Sequence, residues 1–261
     1  VMSILAKSLL PIRLDGCWFG PPLGDEVLEG VRRGRVFEQR ERAFVEAFLA
    51  PGMTFWDIGA HLGLYTVIGA KVVRPNGVVL AAEPDPRNRR RLRVNVLLNR
   101  QWHVEIVPHA IGDRIETAGF CSCRQGAYSG LKVAKVPAAV RNITVSKTTL
   151  DALAGQRNWP DVDFVKMDVE GAERLALEGG VGFFTDWPRP VLMCEFSDRR
   201  SIAFGHRCSD VYDWLTARDY RWFAFASNGK LTDEPPKTEY DYDNLVACPR
   251  EKLDRLARWL T

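Results

Sequence analysis

Five residues in the first third of the chain have types and spacing suited to holding a small cationic ligand: Asp57, Gly59, His61, Gly63 and Glu83. They lie in or just after the stretch FWDIGAHLGLYTVIGA, Phe55 to Ala70, which runs from an apolar strand through two glycines into a helix-like repeat. A dinucleotide fingerprint reads G-x-G-x-x-G, and its second glycine lets the backbone approach a pyrophosphate. His61 stands at that position here. Asp57 places a carboxylate at the mouth of the loop, where it repels a pyrophosphate and suits an ammonium or sulfonium. Gly59 and Gly63 still permit close backbone approach. Glu83 lies twenty residues beyond Gly63, at the end of the next strand, where a carboxylate can accept both hydroxyls of a ribose. A cation site, a tight turn and a ribose site together describe S-adenosylmethionine, and Asp57 and His61 disfavour an NAD-dependent dehydrogenase.

A second group of residues sits in FVKMDVEGAE, from Phe164 to Glu173. Phe164, Lys166 and Asp168 share one face of a strand, and Val165 and Met167 share the other. An ammonium inside a buried strand needs a partner, and Asp57 and Glu195 are the candidates. Asp168 falls at the carboxyl end of the strand, beside the expected cation. Glu170 and Glu173 follow, and Glu173 suits the positive end of the next helix. If the methyl of such a ligand passes to an alcohol, a base worth about 10²–10⁴ in rate is expected. Asp168 and Glu170 are assigned to that chemistry, with Glu195 and His109 as further candidates. Oxygen ligands from Asp168, Glu170 and Glu195 would suit Mg²⁺, but nothing in the spacing demands a metal and none is assigned.

The elements that must position these residues alternate between strand and helix. Strands are expected at Thr54–Ile58, Val78–Glu83, Val104–Val107, Val162–Asp168 and Val191–Phe196, with a last strand in NLVAC. Helices are expected at Leu64–Val73, from Asp85-Pro86 to Leu98, after Thr149, through AERLALEGG and from Ser209. Asp85 and Thr149 are good N-cap residues, and Pro86 suits the first helical position. Leu92, Val96 and Leu97 are placed on the core side of the second helix. Near-continuous apolar strands alternating with helices predict a parallel sheet covered on both faces. The fold class is therefore α/β, doubly wound. Residues 1–50 are set apart as a partly helical N-terminal extension, with Phe44, Val45, Phe48 and Leu49 on one helix face, and 51–261 as the main domain. The segment from Ile115 to Val145 breaks the rhythm and reads as a β-rich insertion.

Composition excludes several classes. The chain of 261 residues is 46% hydrophobic and 26% charged, the balance of a globular protein, and its net charge of +3 is no nucleic-acid footprint by itself. Six cysteines show no paired metal spacing. Cys121 and Cys123 read as alternation along a strand. No run approaches the ~18 apolar residues of a membrane span, and no secretory signal is seen, so a cytoplasmic location is expected. The run RNRRRLR, Arg87 to Arg93, raises an RNA methyltransferase as a rival, although a solvated basic helix face explains it as well. A binding or scaffold protein without turnover is a second rival.

The motifs DIGAHLGLYT, AAEPDPRNRRRLRVNVLLN, HAIGD, TTLDAL, VKMDVEGAE and VLMCEF, in this order, resemble the FkbM family of S-adenosylmethionine-dependent methyltransferases over roughly residues 38 to 248. The resemblance implies a Rossmann-like, seven-stranded class I methyltransferase sheet and S-adenosylmethionine as cofactor. It also implies a hydroxyl acceptor on a natural product, sugar or glycolipid. It assigns donor-site roles to Asp57, Gly59, Gly63 and Glu83, and places Ala110, Ile111 and Asp113 beside the adenine. His61 stands where similar sequences usually carry asparagine, a departure that touches one loop contact.

Overall fold

The computed structural model describes residues 10–22, 24–123, 130–131, 140–186 and 188–260. The described chain opens with a hairpin of β1 (Ile12–Leu14) and β2 (Cys17–Phe19), then α1 (Glu26–Arg32) and α2 (Gln39–Phe48). The alternating part follows as β3 (Thr54–Ile58), α3 (Leu64–Val73), β4 (Val78–Ala82), α4 (Pro86–Leu98) and β5 (Val104–Val107). Next come β6 (His109–Ile111), β7 (Glu116–Cys123), β8 (Gly130–Leu131) and β9 (Val140–Thr148). The chain then forms α5 (Leu150–Gly155), β10 (Phe164–Met167), α6 (Glu173–Glu178), α7 (Val181–Thr185), β11 (Val191–Phe196) and α8 (Asp198–Ser201). It continues with α9 (Cys208–Thr216), β12 (Tyr220–Phe225), β13 (Leu231–Asp233) and β14 (Asp243–Pro249), followed by a 3-10 helix at Arg250–Leu256.

The main sheet has the order β13-β12-β14-β11-β10-β3-β4-β5. Strands β11, β10, β3, β4 and β5 run parallel, and β14 lies antiparallel between β11 and β12. Among the described residues the sheet therefore has eight strands, not the seven expected. Leu231–Asp233 returns from the turn after β12 and pairs along its outer edge. Strand residues alternate between two cores, as the apolar runs require. Trp56, Ile58, Val165 and Met167 pack beneath α5, α6, α7 and α9. Phe55, Phe164 and Val79 face the opposite side, under α2 and α3. No helix among the described residues is long and apolar enough to cross a membrane.

Local signals account for the helix starts. The Asp85 side chain accepts from Arg87 N, with Pro86 opening α4, and Thr149 Oγ1 accepts from Ala152 N to cap α5. Helix α9 opens one residue earlier than expected, because the distant Asp198 carboxylate accepts from Cys208 N. Leu97 is 53% exposed and does not join the core side of α4, which is formed by Leu92, Asn95 and Val96. The β-rich insertion forms a second sheet of order β6-β9-β7-β8, and Cys121 and Cys123 fall on the single strand β7. Residues 124–129 and 132–139 of that insertion lie outside the described residues.

The N-terminal extension shares its core with the sheet. Cys17, Phe19 and Leu28 pack with Leu62, Val67, Ile68, Leu92 and Val96, and the α2 residues Phe44 and Phe48 meet Phe164 at ring-centroid distances of 6.1 and 5.1 Å. Phe164 also lies 5.7 Å from Phe55. Phe164→Ala should therefore cost about 3–5 kcal/mol in urea unfolding. A loss below about 1 kcal/mol, within the range of ordinary substitutions, would show that this aromatic junction is not a main support of the sheet.

Candidate active site

The carboxyl ends of β3, β4, β10 and β11 open into one cavity. Its floor is the loop after β3. Gly59, His61 and Gly63 all adopt the left-handed region, at φ of 85°, 50° and 89°. A Cβ on Gly59 would lie 1.8 Å from the Asp168 carbonyl oxygen, so the two loop crossings fit only with glycine there. Gly63 is the N-cap of α3, and a Cβ on it would lie 2.3 Å from Leu92 Cδ1. The loop is held from below: Gly59 N and Ala60 N both donate to Ala82 O at 3.0 Å.

Glu83 is pinned beside this loop. His61 N donates to Glu83 Oε2 at 2.8 Å and Asp85 N donates to Oε1 at 2.7 Å. Burial pushes its carboxyl up to about 8, against those two hydrogen bonds. His61 is among the few residue types enriched at positive φ, as asparagine is, so this position keeps its turn. Its ring reaches the extension: Nε2 lies 3.7 Å from Asp25 Oδ2, which also pairs with Arg91 Nη1 at 3.3 Å. Burial pushes the His61 imidazole below its usual range.

The direct ion pair of Lys166 is with neither of the two expected acids, although the charge of Asp57 on β3 also supports the ammonium. Its Nζ donates to Asp168 Oδ2 at 2.7 Å, two residues on along the same strand face. Asp57 stands in register with Lys166 on β3 and accepts from Thr66 Oγ1, and Glu195 pairs elsewhere. The Tyr65 ring covers the ammonium at 5.2 Å. Burial works against both charges of the pair, yet the attraction prevails. Lys166 is held above its ordinary range and Asp168 below its own. Asp168 Oδ1 is buried without a hydrogen-bond partner.

Glu170 and Glu195 are joined through a residue that the sequence did not single out. Arg200 Nε lies 3.0 Å from Glu170 Oε2, and Arg200 Nη1 donates to Glu195 Oε2. Glu170 and Gly171 are both left-handed, at φ of 59° and 97°. A Cβ on Gly171 would lie 2.6 Å from the Arg200 carbonyl carbon, so the glycine of DVEG lets α8 approach. Burial raises Glu170 well above its usual range and Glu195 to about 8. Glu173 accepts from Val169 N at 3.0 Å and Gly171 N at 3.2 Å. It also comes within 4.8 Å of Asp168 and Glu195. Much of that oxygen set is already committed, Glu195 to Arg200 and Glu173 to backbone N–H groups, and no metal is assigned.

Ala110 and Ile111 line the cavity beside His109, and Asp57, Gly59, His61 and Glu83 line it as well. Gly63 does not; it acts one step back, as the start of α3. Asp113 is not brought to the cavity. Despite partial burial, Lys147 Nζ at 2.8 Å holds its carboxyl below the usual range, with Arg114 at 3.1 Å on its other oxygen. The structure adds walls that local sequence signals did not mark. Val27, Phe37 and Glu38 come from the extension, Phe120 and Leu131 from the insertion, and Tyr242 from just before the last strand. Glu38 ties these parts together, accepting from Tyr65 Oη at 2.7 Å and Tyr242 Oη at 2.8 Å.

A family model described as the methyltransferase FkbM domain matches residues 57–222. None of the curated proteins matches the sequence significantly. Among solved structures, the chain is similar to a precorrin-6y C5,15-methyltransferase from Geobacter metallireducens, with 14% identity, 82% of this chain and 90% of that one covered and a TM-score of 0.47. It is also similar to TYW2 from M. jannaschii in complex with AdoMet, with 14% identity, 92% and 84% covered and a TM-score of 0.44. An O-methyltransferase from Bacillus cereus in complex with SAH is similar at 14% identity, with 94% of each chain covered and a TM-score of 0.44.

The raised Glu83 carboxyl has a consequence for stability. From about 4.5 to about 8 the unfolded chain has released a proton that the folded chain keeps. This group's contribution to stability therefore falls as pH rises through that window, by about 1.4 kcal/mol per pH unit. Without ligand, urea unfolding of Glu83→Gln between about pH 5 and about pH 8 should show a correspondingly flatter decline than the parent. Equal slopes would mean that this carboxyl titrates alike in the folded and unfolded chains.

Proposed function

Because the chain belongs to the FkbM family of methyltransferases, whose cofactor is S-adenosylmethionine, we propose that it O-methylates a hydroxyl of a natural product, sugar or glycolipid within the cavity at the strand ends. The observation that carries this reading is the pairing of a pinned carboxylate, Glu83, with a glycine-built loop and the acidic groups Asp57 and Asp168 in one cavity. The fit to the cofactor is supported by open acceptor capacity at the right places. Glu83 is oriented by two backbone N–H groups and keeps lone pairs for ribose hydroxyls. Asp168 Oδ1, buried and without a partner, is left for the acceptor hydroxyl.

In this reading Asp57, Gly59 and His61 shape the donor pocket, with Gly63 setting the start of α3 behind it. Ala110 and Ile111 flank the adenine. Asp113 is left out of the donor site, since Lys147 and Arg114 hold it elsewhere. When bound, S-adenosylmethionine supplies an activated methyl group on a sulfonium. The protein's own work is positioning, worth roughly 7–11 kcal/mol of barrier in well-oriented reactions. Asp168 orients the acceptor hydroxyl through its open oxygen. Glu170 takes the hydroxyl proton on its carboxylate, whose basicity is raised by burial and whose place is held by Arg200. Residues 51–261 are proposed as the methyltransferase domain, with the extension contributing walls to its cavity.

Two measurements test this. Calorimetry should detect S-adenosylhomocysteine binding and no comparable NADH binding, and Glu83→Ala should weaken the former by about 10–100-fold, the value of two hydrogen bonds. NADH binding in place of S-adenosylhomocysteine would overturn the donor assignment. Glu170→Gln should lower kcat by about 10²–10⁴ while leaving S-adenosylhomocysteine affinity unchanged. A parallel loss of affinity would move Glu170 from the acceptor side to the donor side.

A further inference from the structure

The cavity leaves the basic run at Arg87–Arg93 unused. From Pro86 to Trp102 the chain carries six arginines and no aspartate or glutamate. Two of the six turn inward: Arg89 Nη1 donates to the carbonyls of Glu83 and Pro84, and Arg91 pairs with Asp25. Arg87, Arg90, Arg93 and Arg100 are exposed, and none of them pairs with a carboxylate among the described residues. Four uncompensated cations on so short a stretch repel one another and attract an anionic partner.

A merely solvated basic helix would be polar along its whole outer surface. This one is not. At 3.6 residues per turn, Arg87, Arg90, Arg93, Val94, Leu97 and Leu98 share one outward arc of α4, opposite the buried Asn88, Leu92 and Asn95. Trp102, 74% exposed, follows just beyond the helix end. Trp18 of β2 is exposed as well and is fastened to that end: its N–H donates to Asn99 Oδ1 at 2.8 Å, and its carbonyl accepts from Asn99 Nδ2 at 2.6 Å. The Arg13 guanidinium lies 5.8 Å from the Trp18 ring. Large apolar side chains thus gather along the second half of α4 and at its end, bordered by arginines, the arrangement of an interaction surface.

An anionic lipid surface matches both halves of this face. Its phosphates meet the arginines, whose long stems lie along apolar surface while the heads stay in water. The aliphatic side chains enter the boundary of the acyl chains, and tryptophan settles at headgroup level. RNA matches the arginines and tryptophans only, because stacking and phosphate contacts offer nothing to Val94, Leu97 and Leu98. We propose that the outer face of α4, with Trp18 and Trp102, docks the protein on an anionic bilayer, lying on it without crossing it.

The test is co-sedimentation of the full chain with vesicles of phosphatidylcholine alone or mixed equally with phosphatidylglycerol, beside binding to a single-stranded RNA oligonucleotide. The mixed vesicles should bind at least about 10-fold more tightly than phosphatidylcholine alone. The pairs Arg90→Glu/Arg93→Glu and Leu97→Ser/Trp102→Ser should each weaken that binding by about 10-fold or more. Their urea midpoints should stay near the parent's, since all four positions are exposed. Should a pair fail to fold, lipids brominated on their acyl chains decide with the parent alone: they should quench its tryptophan fluorescence in the mixed vesicles, and unquenched fluorescence overturns the proposal. Equal binding to both vesicles, or to neither, overturns it too. So does a loss confined to the arginine pair, or RNA binding tighter than vesicle binding that survives Leu97→Ser/Trp102→Ser.

Discussion

Lys166 Nζ lies 2.7 Å from Asp168 Oδ2 at the end of a central strand, nearly sealed from water, with Asp57 in register beside it. An ammonium so placed is tolerable only while its acids stay ionised and close, because an isolated buried charge is far costlier than a paired one. That requirement joins β3 to β10 at their carboxyl ends. It also leaves Asp168 with one committed oxygen and one open oxygen, which is the asymmetry a binding site needs. The Tyr65 ring over the ammonium links the pair to the first turn of α3, and the Tyr65 hydroxyl passes the connection to Glu38.

The loops around this pair are made possible by left-handed backbone. Gly59 crosses the Asp168 carbonyl at a distance that no side chain allows, and Gly171 does the same against Arg200. Between the glycines, His61 and Glu170 hold positive φ with side chains attached. Such positions cost free energy in isolation and persist where surrounding contacts over-determine them. His61 is fixed by its N–H to Glu83, and Glu170 by its ion pair with Arg200. The strained positions are thus the ones that deliver Glu83 and Glu170 to the cavity.

The outer walls come from segments that flank or interrupt the alternating fold. Glu38 and Tyr242 are 204 residues apart in sequence and meet in one hydrogen bond. The hairpin residue Gly130 sits against the Glu170 side chain, where a Cβ would be 3.0 Å away. The extension and the insertion therefore frame the mouth of the same cavity whose floor belongs to the strand ends. Around it, Lys166 and the inward-facing Arg89, Arg91 and Arg200 are all committed to internal partners.

The sequence by itself determined the alternation of strands and helices, the caps at Asp85 and Thr149, the glycine loop, and the placing of Asp57, Glu83, Asp168 and Glu170 near strand ends. These are local properties: periodicity, turn chemistry and capping are written within a few residues of where they act. Tertiary structure alone decided that Lys166 pairs with Asp168, that Arg200 bridges Glu170 and Glu195, that Asp113 turns away to Lys147, and that an eighth strand closes the sheet edge. Each of these depends on which charges and edges meet across long stretches of chain. A buried ion pair is selected by distance and desolvation among all the acids within reach, and no spacing along the sequence encodes that choice.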